Sequence, residues 1–352
     1  MKKLSWIEIT ALFIASIMGA GFASGRECWQ FFAVFGVYGY AGVAIVTIAF
    51  IAFSCMMMYI AMSKNSPDLG TLVSPFNNKT IDNIPGIILA FFFYLDLIVM
   101  TAAGGSLLNQ VFGLDKAVGG IIIAVLTILT VLGDFERIAK IFRYLIPVLF
   151  AVAIVMIILI IKSDYSQSSH RYLAPGGISS TWFSSALVFM SYNILAMPAI
   201  AGNSALRAKN KKNAYIGAIT ASLLLGGLIW ALMKALMKDM AFTAAYDLPL
   251  LAYAARISPV LNVIYSIILF GSIYSTASSL FFGFTTKIPD RSWKKKATVA
   301  SALIGFGLGL SGFKTLVEYL YPMQGYIGFV ILLMIVINFF TELSKNRKFK
   351  KN

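Results

Sequence analysis

The chain has almost no raw material for the chemistry of soluble enzymes. It holds one histidine and two cysteines in 352 residues. Cys28 and Cys55 both lie in apolar segments, which excludes a disulfide scaffold. One histidine cannot build a His-based zinc site or triad, and no His/Cys/carboxylate constellation supplies a nucleophile with a base. Charge is scarce too: 12% of residues are Asp, Glu, Lys or Arg, against roughly 25% in soluble domains. Disorder is excluded by the opposite extreme, a hydrophobic content of 59%.

What is present is apolar bulk. Twenty-eight Phe and fifteen Met contribute to a mean hydropathy of +0.83. A water-soluble fold of this size could not hide that surface. The net charge is +15, but the basic residues cluster in short segments between apolar stretches. Arg207, Lys209, Lys211 and Lys212 form one such cluster; Lys287, Arg291, Lys294, Lys295 and Lys296 form another. No nucleic-acid-binding face follows from that distribution. The class that remains is an all-α polytopic membrane protein.

A bilayer-crossing helix needs about 20 mostly apolar residues, because lipid cannot satisfy exposed backbone groups. That ruler marks ten stretches: 5–34, 39–62, 85–111, 117–133, 143–162, 180–204, 213–237, 257–285, 297–313 and 323–342. The fourth and ninth are short, and the first is too long for one straight crossing. Glu8 interrupts the first apolar core, so it reads as a retained membrane helix rather than a cleaved signal. With the N-terminus cytoplasmic, most of the 29 basic residues fall on inside segments. Both termini are then cytoplasmic. The basic face sets topology, with an anionic-lipid site as the alternative. The longest loops, 63–84 and 163–179, cannot hold a second core, so residues 1–352 form one transmembrane domain.

Three segments break the rules of a membrane helix. Gly19, Ala20, Gly21, Phe22, Ala23, Ser24 and Gly25 put three glycines inside the first span, followed at once by Arg26 and Glu27. Such a run reads as tight helix packing, or as a discontinuous helix whose free amides and carbonyls meet a ligand. Ser191, Tyr192 and Asn193 stand together in the sixth span, shortly before Pro198. They mark a proline kink or a second broken helix. Ser272, Tyr274, Ser275, Thr276, Ser278 and Ser279 crowd the eighth span. Their hydroxyls either bond back to preceding carbonyls or build an oxygen-only shell suited to Na+.

Asp96 lies near the middle of the third span, where a carboxylate costs at least about 2.5–3.5 kcal/mol. It is a contact for a cation or amino group, a proton carrier, or the partner of a structural salt bridge to Arg26. Glu8 is a gate or a surface charge. Asn109 and Gln110 are weaker signals, and His170 belongs to a solvated external loop. Trp6, Trp29 and Trp182 fall near span ends, as interfacial anchors do.

The two interrupted spans are five helices apart. Paired interruptions in corresponding halves point to a transporter binding site. An odd number of helices per half inverts the second half. The expected architecture is a five-plus-five inverted repeat, with halves near 1–165 and 175–345.

The run Gly19–Glu27, followed by Phe31 and Phe32, resembles the signature of the YkvI family of bacterial membrane proteins. That family is grouped with the amino acid–polyamine–organocation superfamily, which has the LeuT-type fold. The resemblance implies an unwound first helix at Gly19 and Gly21, with backbone amides binding a substrate carboxylate. It also implies a Na+ site. Carbonyls of Ala15 and Met18 and the small residue Ser272 would join Ser275 and Thr276 there. Asp96 and the Arg26–Glu27 pair are not general features of the superfamily.

The resulting expectation is a secondary active transporter in a bacterial plasma membrane, carrying an amino acid or similar small zwitterion with Na+. The amides of residues 20–25 hold the carboxylate, Ser191, Tyr192 and Asn193 complete the polar site, and Asp96 receives the amino group. Arg26 and Glu27 serve gating or coupling. No cofactor is expected beyond the coupling ion, and the partners are the small solute and membrane lipid. Proton coupling through Asp96 or Glu27 is the alternative within this class. A non-transporting ligand-sensing subunit, similar to spore-germinant receptor subunits, is the alternative outside it.

Overall fold

The computed structural model describes residues 3–76, 79–133, 135–165 and 180–349. Among these the secondary structure is helical. The elements run α1 (Trp6–Ile17), α2 (Ala20–Ala23), α3 (Arg26–Phe31), α4 (Val37–Lys64), α5 (Leu69–Val73), α6 (Lys79–Phe112), α7 (Lys116–Leu132) and α8 (Phe135–Lys162). The remainder are α9 (Trp182–Ile194), α10 (Met197–Arg207), α11 (Lys211–Leu236), α12 (Met240–Ala245), α13 (Pro249–Ile257), α14 (Pro259–Thr285), α15 (Lys294–Gly309) and α16 (Phe313–Phe349). Each apolar stretch anticipated from the sequence coincides with helix. The interrupted ones are α1–α2–α3 and α9–α10. His170 lies outside the described residues.

Local chemistry explains the helix starts. Ser5 caps α1: its hydroxyl accepts from Glu8 N–H, while the Glu8 carboxylate accepts from Ser5 N–H at 2.8 Å. Glu8 is therefore a capping-box residue. Asp115, Thr181 and Asn210 cap α7, α9 and α11, each side chain accepting from a first-turn N–H. Pro198 falls in the first turn of α10, where a missing N–H costs nothing.

The outer surface confirms the solvent. Ile48, Leu129, Ile267 and Val330 are exposed, on α4, α7, α14 and α16. Apolar surface of that extent is stable only against lipid tails. Five of the described segments are long and apolar enough to cross a bilayer alone: α4, residues 83–112, α11 with α12, α14, and α16 to Asn346. The chain is a multi-pass membrane protein. Trp6 sits at the surface as an anchor should, but Trp29 is 3% exposed and belongs to the core instead.

Two ends of the bundle can be told apart by what seals them. Leu4 pairs with the α10–α11 junction, donating to Arg207 O at 2.7 Å and accepting from Lys209 N–H at 3.0 Å. At the far end, α13 packs on the first span just past its break, where Leu250 N–H donates to Ser24 O at 3.0 Å.

Candidate functional site

Both helix breaks open onto one cavity. α1 stops at Ile17, Met18 leaves helical geometry with ψ 75°, and Gly19 is extended. A four-residue turn, α2, follows. Gly25 then adopts φ +80°, which a glycine reaches without steric cost, and the chain enters α3. In the sixth stretch α9 ends at Ile194 and α10 begins at Met197. Met18, Gly19, Leu195 and Ala196 all line a cavity of about 350 Å³, closed by side chains from α6, α14 and α16. That volume is within the range of small-molecule sites. The first amides of a helical segment have no partner within it, so the Ala20–Gly21 backbone meets the cavity as bare peptide.

The residues anticipated as cation donors all border the cavity. They are Ala15 and Met18 from the first span and Ser272, Ser275 and Thr276 from α14. Gly19 lies against Thr276: a Cβ built on it would stand 3.5 Å from the threonine methyl and 3.7 Å from its hydroxyl. The Ser275 hydroxyl donates to Ser272 O at 3.0 Å, leaving its lone pairs available to a cation. Among the described residues no cluster of three His, Cys, Asp or Glu could hold a metal, so a cation here would be held by hydroxyls and carbonyls.

Two carboxylates face the cavity. Asp96 accepts from the Gln324 amide at 3.0 Å. Glu27 accepts from the Tyr192 hydroxyl at 2.8 Å, and Tyr192 stacks on Tyr321 with ring centroids 4.9 Å apart. The Glu27 carboxylate lies directly over Gly21, where a Cβ would fall 1.8 Å from Oε1. The Glu27 carboxylate therefore packs against the break in the first span.

Asn193 reaches the cavity, though its amide donates back to Phe189 O at 3.0 Å. Four anticipated residues stand away from it. Phe22 is packed in the core. Ser24 donates to Gly21 O at 2.7 Å and accepts from Arg26 N–H, serving as a local brace. Gly25 presses on Leu250. Ser191 donates to Gly325 O at 2.8 Å, tying α9 to α16.

Arg26 pairs with neither Glu27 nor Asp96. Its guanidinium, 1% exposed, meets Glu318 on α16 at 2.9 Å and Gln30 at 3.3 Å. The reason is direction: successive residues of α3 point to different faces, so Glu27 turns into the cavity while Arg26 turns to the tip of α16. Tyr265 also donates to Ala23 O. The first span is thus sealed at the far end while its break stays open to the cavity.

Sequence reading missed the α16 contribution. Glu318, Tyr321 and Gln324 recur every three residues, so they share one helix face. That spacing of polar groups was the available signal. It was hidden because the tenth stretch was started at 323, while the helix begins at Phe313.

This arrangement defines a helical membrane protein of the LeuT-type fold. The fold matches the inward-facing conformation of Mhp1 with a TM-score of 0.59 and 14% identity, covering 95% of this chain and 75% of that one. It matches MhsT in complex with L-phenylalanine with a TM-score of 0.58 and 16% identity, covering 97% and 100%. By sequence the chain is similar to the uncharacterized protein YyaD of Bacillus subtilis (strain 168), 26% identical over 333 residues, 93% of this chain and 94% of that protein. It is also similar to the uncharacterized membrane protein YkvI of the same organism, 20% identical over 337 residues, 94% and 95% of the two chains. The family resemblance read from the first span holds at that level. Residues 77–171 match the sodium:alanine symporter family.

Proposed function

We propose that the protein is a secondary active transporter that carries a small amino-bearing solute of the amino acid class together with Na+. The observation that carries this reading is the meeting of two broken helices at one cavity whose wall includes Ala15, Met18, Ser272, Ser275 and Thr276. Na+ in that oxygen shell ties the first break to α14. A state in which the two are apposed gains affinity for the ion over a state in which they part, and that difference drives alternation. Asp96 receives the amino group, with Tyr192, Asn193 and Gln324 bounding the polar wall. The match of residues 77–171 to a sodium symporter family supports the ion, and the fold shared with a phenylalanine-bound protein supports the solute class. Both termini are cytoplasmic in a bacterial plasma membrane, and the halves near 1–165 and 175–345 are inverted copies in one unit.

The test is solute uptake into proteoliposomes under an imposed Na+ gradient. Uptake follows the gradient and is lost in Ser275→Ala with Thr276→Ala. Uptake that follows a proton gradient alone and survives both substitutions overturns the ion assignment. That outcome would favour the second reading, proton coupling, for which the cavity-facing Glu27 and Asp96 are the supporting observation. Ligand binding with no flux, alongside a stoichiometric partner subunit, would favour a sensor.

A further inference from the structure

Counting charge around the cavity sharpens the solute class. Glu27 and Asp96 line it, and among the described residues no Lys, Arg or His does. The nearest cation in sequence, Arg26, is turned away and taken up by Glu318 and Gln30. Neutral donors hold both acids, Tyr192 on Glu27 and Gln324 on Asp96. A zwitterion bound here would bring its carboxylate to the bare Ala20–Gly21 backbone. The Glu27 carboxylate packs beside it, with Oε1 1.8 Å from where a Cβ on Gly21 would stand. Two carboxylates a few ångströms apart in a low-dielectric site repel strongly, and no fixed cation offsets them. An ammonium group with Na+ balances the two acids instead. The rest of the wall, including Phe92, Phe93, Met100 and Leu149, suits a hydrocarbon body.

We infer that the cargo is a small organic amine that carries positive charge and no carboxylate, with Glu27 and Asp96 supplying the negative charge it meets. The inference rests on the reading of this cavity as a carrier's solute site. It keeps the amino-bearing solute of that reading but replaces the amino acid by its decarboxylated amine.

The experiment uses the full-length protein in lipid nanodiscs with Na+ present, and two probe pairs that differ only by a carboxylate: phenethylamine with phenylalanine, and isobutylamine with valine. Thermal-shift titration reads apparent affinity, since a ligand that binds the folded state raises its stability. Each amine binds at least about tenfold more tightly than its parent. Glu27→Gln weakens the amines at least about thirtyfold, the usual scale for removing one member of a buried charge pair, and narrows or reverses the preference. Asp96→Asn, which leaves Glu27 in place, weakens the amines without admitting the amino acids; it serves as the second readout if Glu27→Gln fails to fold. The inference is overturned if the parents bind as well as the amines, if neither amine shifts the protein at tens of millimolar, or if Glu27→Gln leaves amine binding unchanged. Proteoliposome uptake separates the two claims. Amine binding without uptake sinks the carrier reading and leaves the charge preference standing. Amino acid uptake that survives Glu27→Gln sinks the charge preference and leaves the carrier standing.

Discussion

The acidic residues at the far end of the bundle and those in the cavity are treated in opposite ways. At the far end three of them meet cations. Glu318 meets Arg26 at 2.9 Å, Asp239 meets Arg256 at 2.9 Å, and Asp247 meets Lys116 at 2.6 Å. In the cavity neutral groups do the holding, Tyr192 for Glu27 and Gln324 for Asp96. A charge pair is a fixed bond, and these pairs hold α3 to α16, α7 to the α12–α13 link, and the start of α12 to α13. Carboxylates left with neutral donors can accept a cation and give it up again. The contrast separates what the bundle needs in order to stand from what it needs in order to exchange a ligand.

The largest expected effect breaks the fixed side. Arg26→Met leaves Glu318 without its partner at a site where the arginine is 1% exposed. Losing one member of a buried pair costs about 3–5 kcal/mol, read as a fall in thermal stability in nanodiscs. Adding Glu318→Gln recovers most of it, because the stranded charge is then gone. Glu27→Gln, by contrast, keeps an acceptor for Tyr192 and costs little stability while ligand binding falls. If both single substitutions destabilise equally, the distinction between fixed and exchangeable acids is wrong.

A middle effect tests the contact that puts Glu27 in its place. Gly21→Ala introduces a Cβ within 1.8 Å of the carboxylate position. The flexible acid end swings aside, so stability falls by only about 1–3 kcal/mol, but ligand binding and uptake are lost. Gly19→Ala is the control, since its Cβ meets Thr276 at ordinary contact distance. Equal loss of binding in both would mean that helix geometry at the break matters and the Glu27 position does not. A smaller effect follows from Ser191→Ala. It removes the bond to Gly325 O at 2.8 Å and costs about 1 kcal/mol. Its hydroxyl points away from the cavity, so solute affinity stays unchanged.

Which parts of this were legible in the sequence follows from range. The break at Gly19 and Gly25 and the restart at Pro198 are local backbone properties, and three glycines or one proline announce them without reference to any other helix. The helix caps at Ser5 and Asp115 are equally local. Side-chain direction is not. Asp96 reads as anomalous from its depth alone, but nothing within its own span names Gln324 as its partner. Arg26 and Glu27 read as a pair because they are adjacent, yet adjacency on a helix sends them to different faces. Glu318 was passed over because Lys314, Glu318 and Tyr319 resemble a loop, although they begin a helix in which Pro322 is embedded.

The smallest effect belongs to the most exposed of the far-end pairs, Asp247 with Lys116. Burial alone would raise the Asp247 carboxyl. Hydrogen bonds from Lys116 and Ser106, with the charges of Lys116 and Arg26, outweigh it and hold the group below the usual carboxylate range. A carboxyl whose folded value is depressed stabilises the fold fully above its ordinary value near 3.9, and loses that contribution as pH falls through the lowered one. The wild type is therefore more thermostable than Asp247→Asn at neutral pH, and the gap closes on acidification below about pH 4. Because the Lys116 side chain is 47% exposed, salt narrows the neutral-pH gap as well. A gap that widened on acidification would mean that Asp247 is tuned by its burial and not by its cation, and would move it from the paired acids at the far end to the company of Glu27 and Asp96.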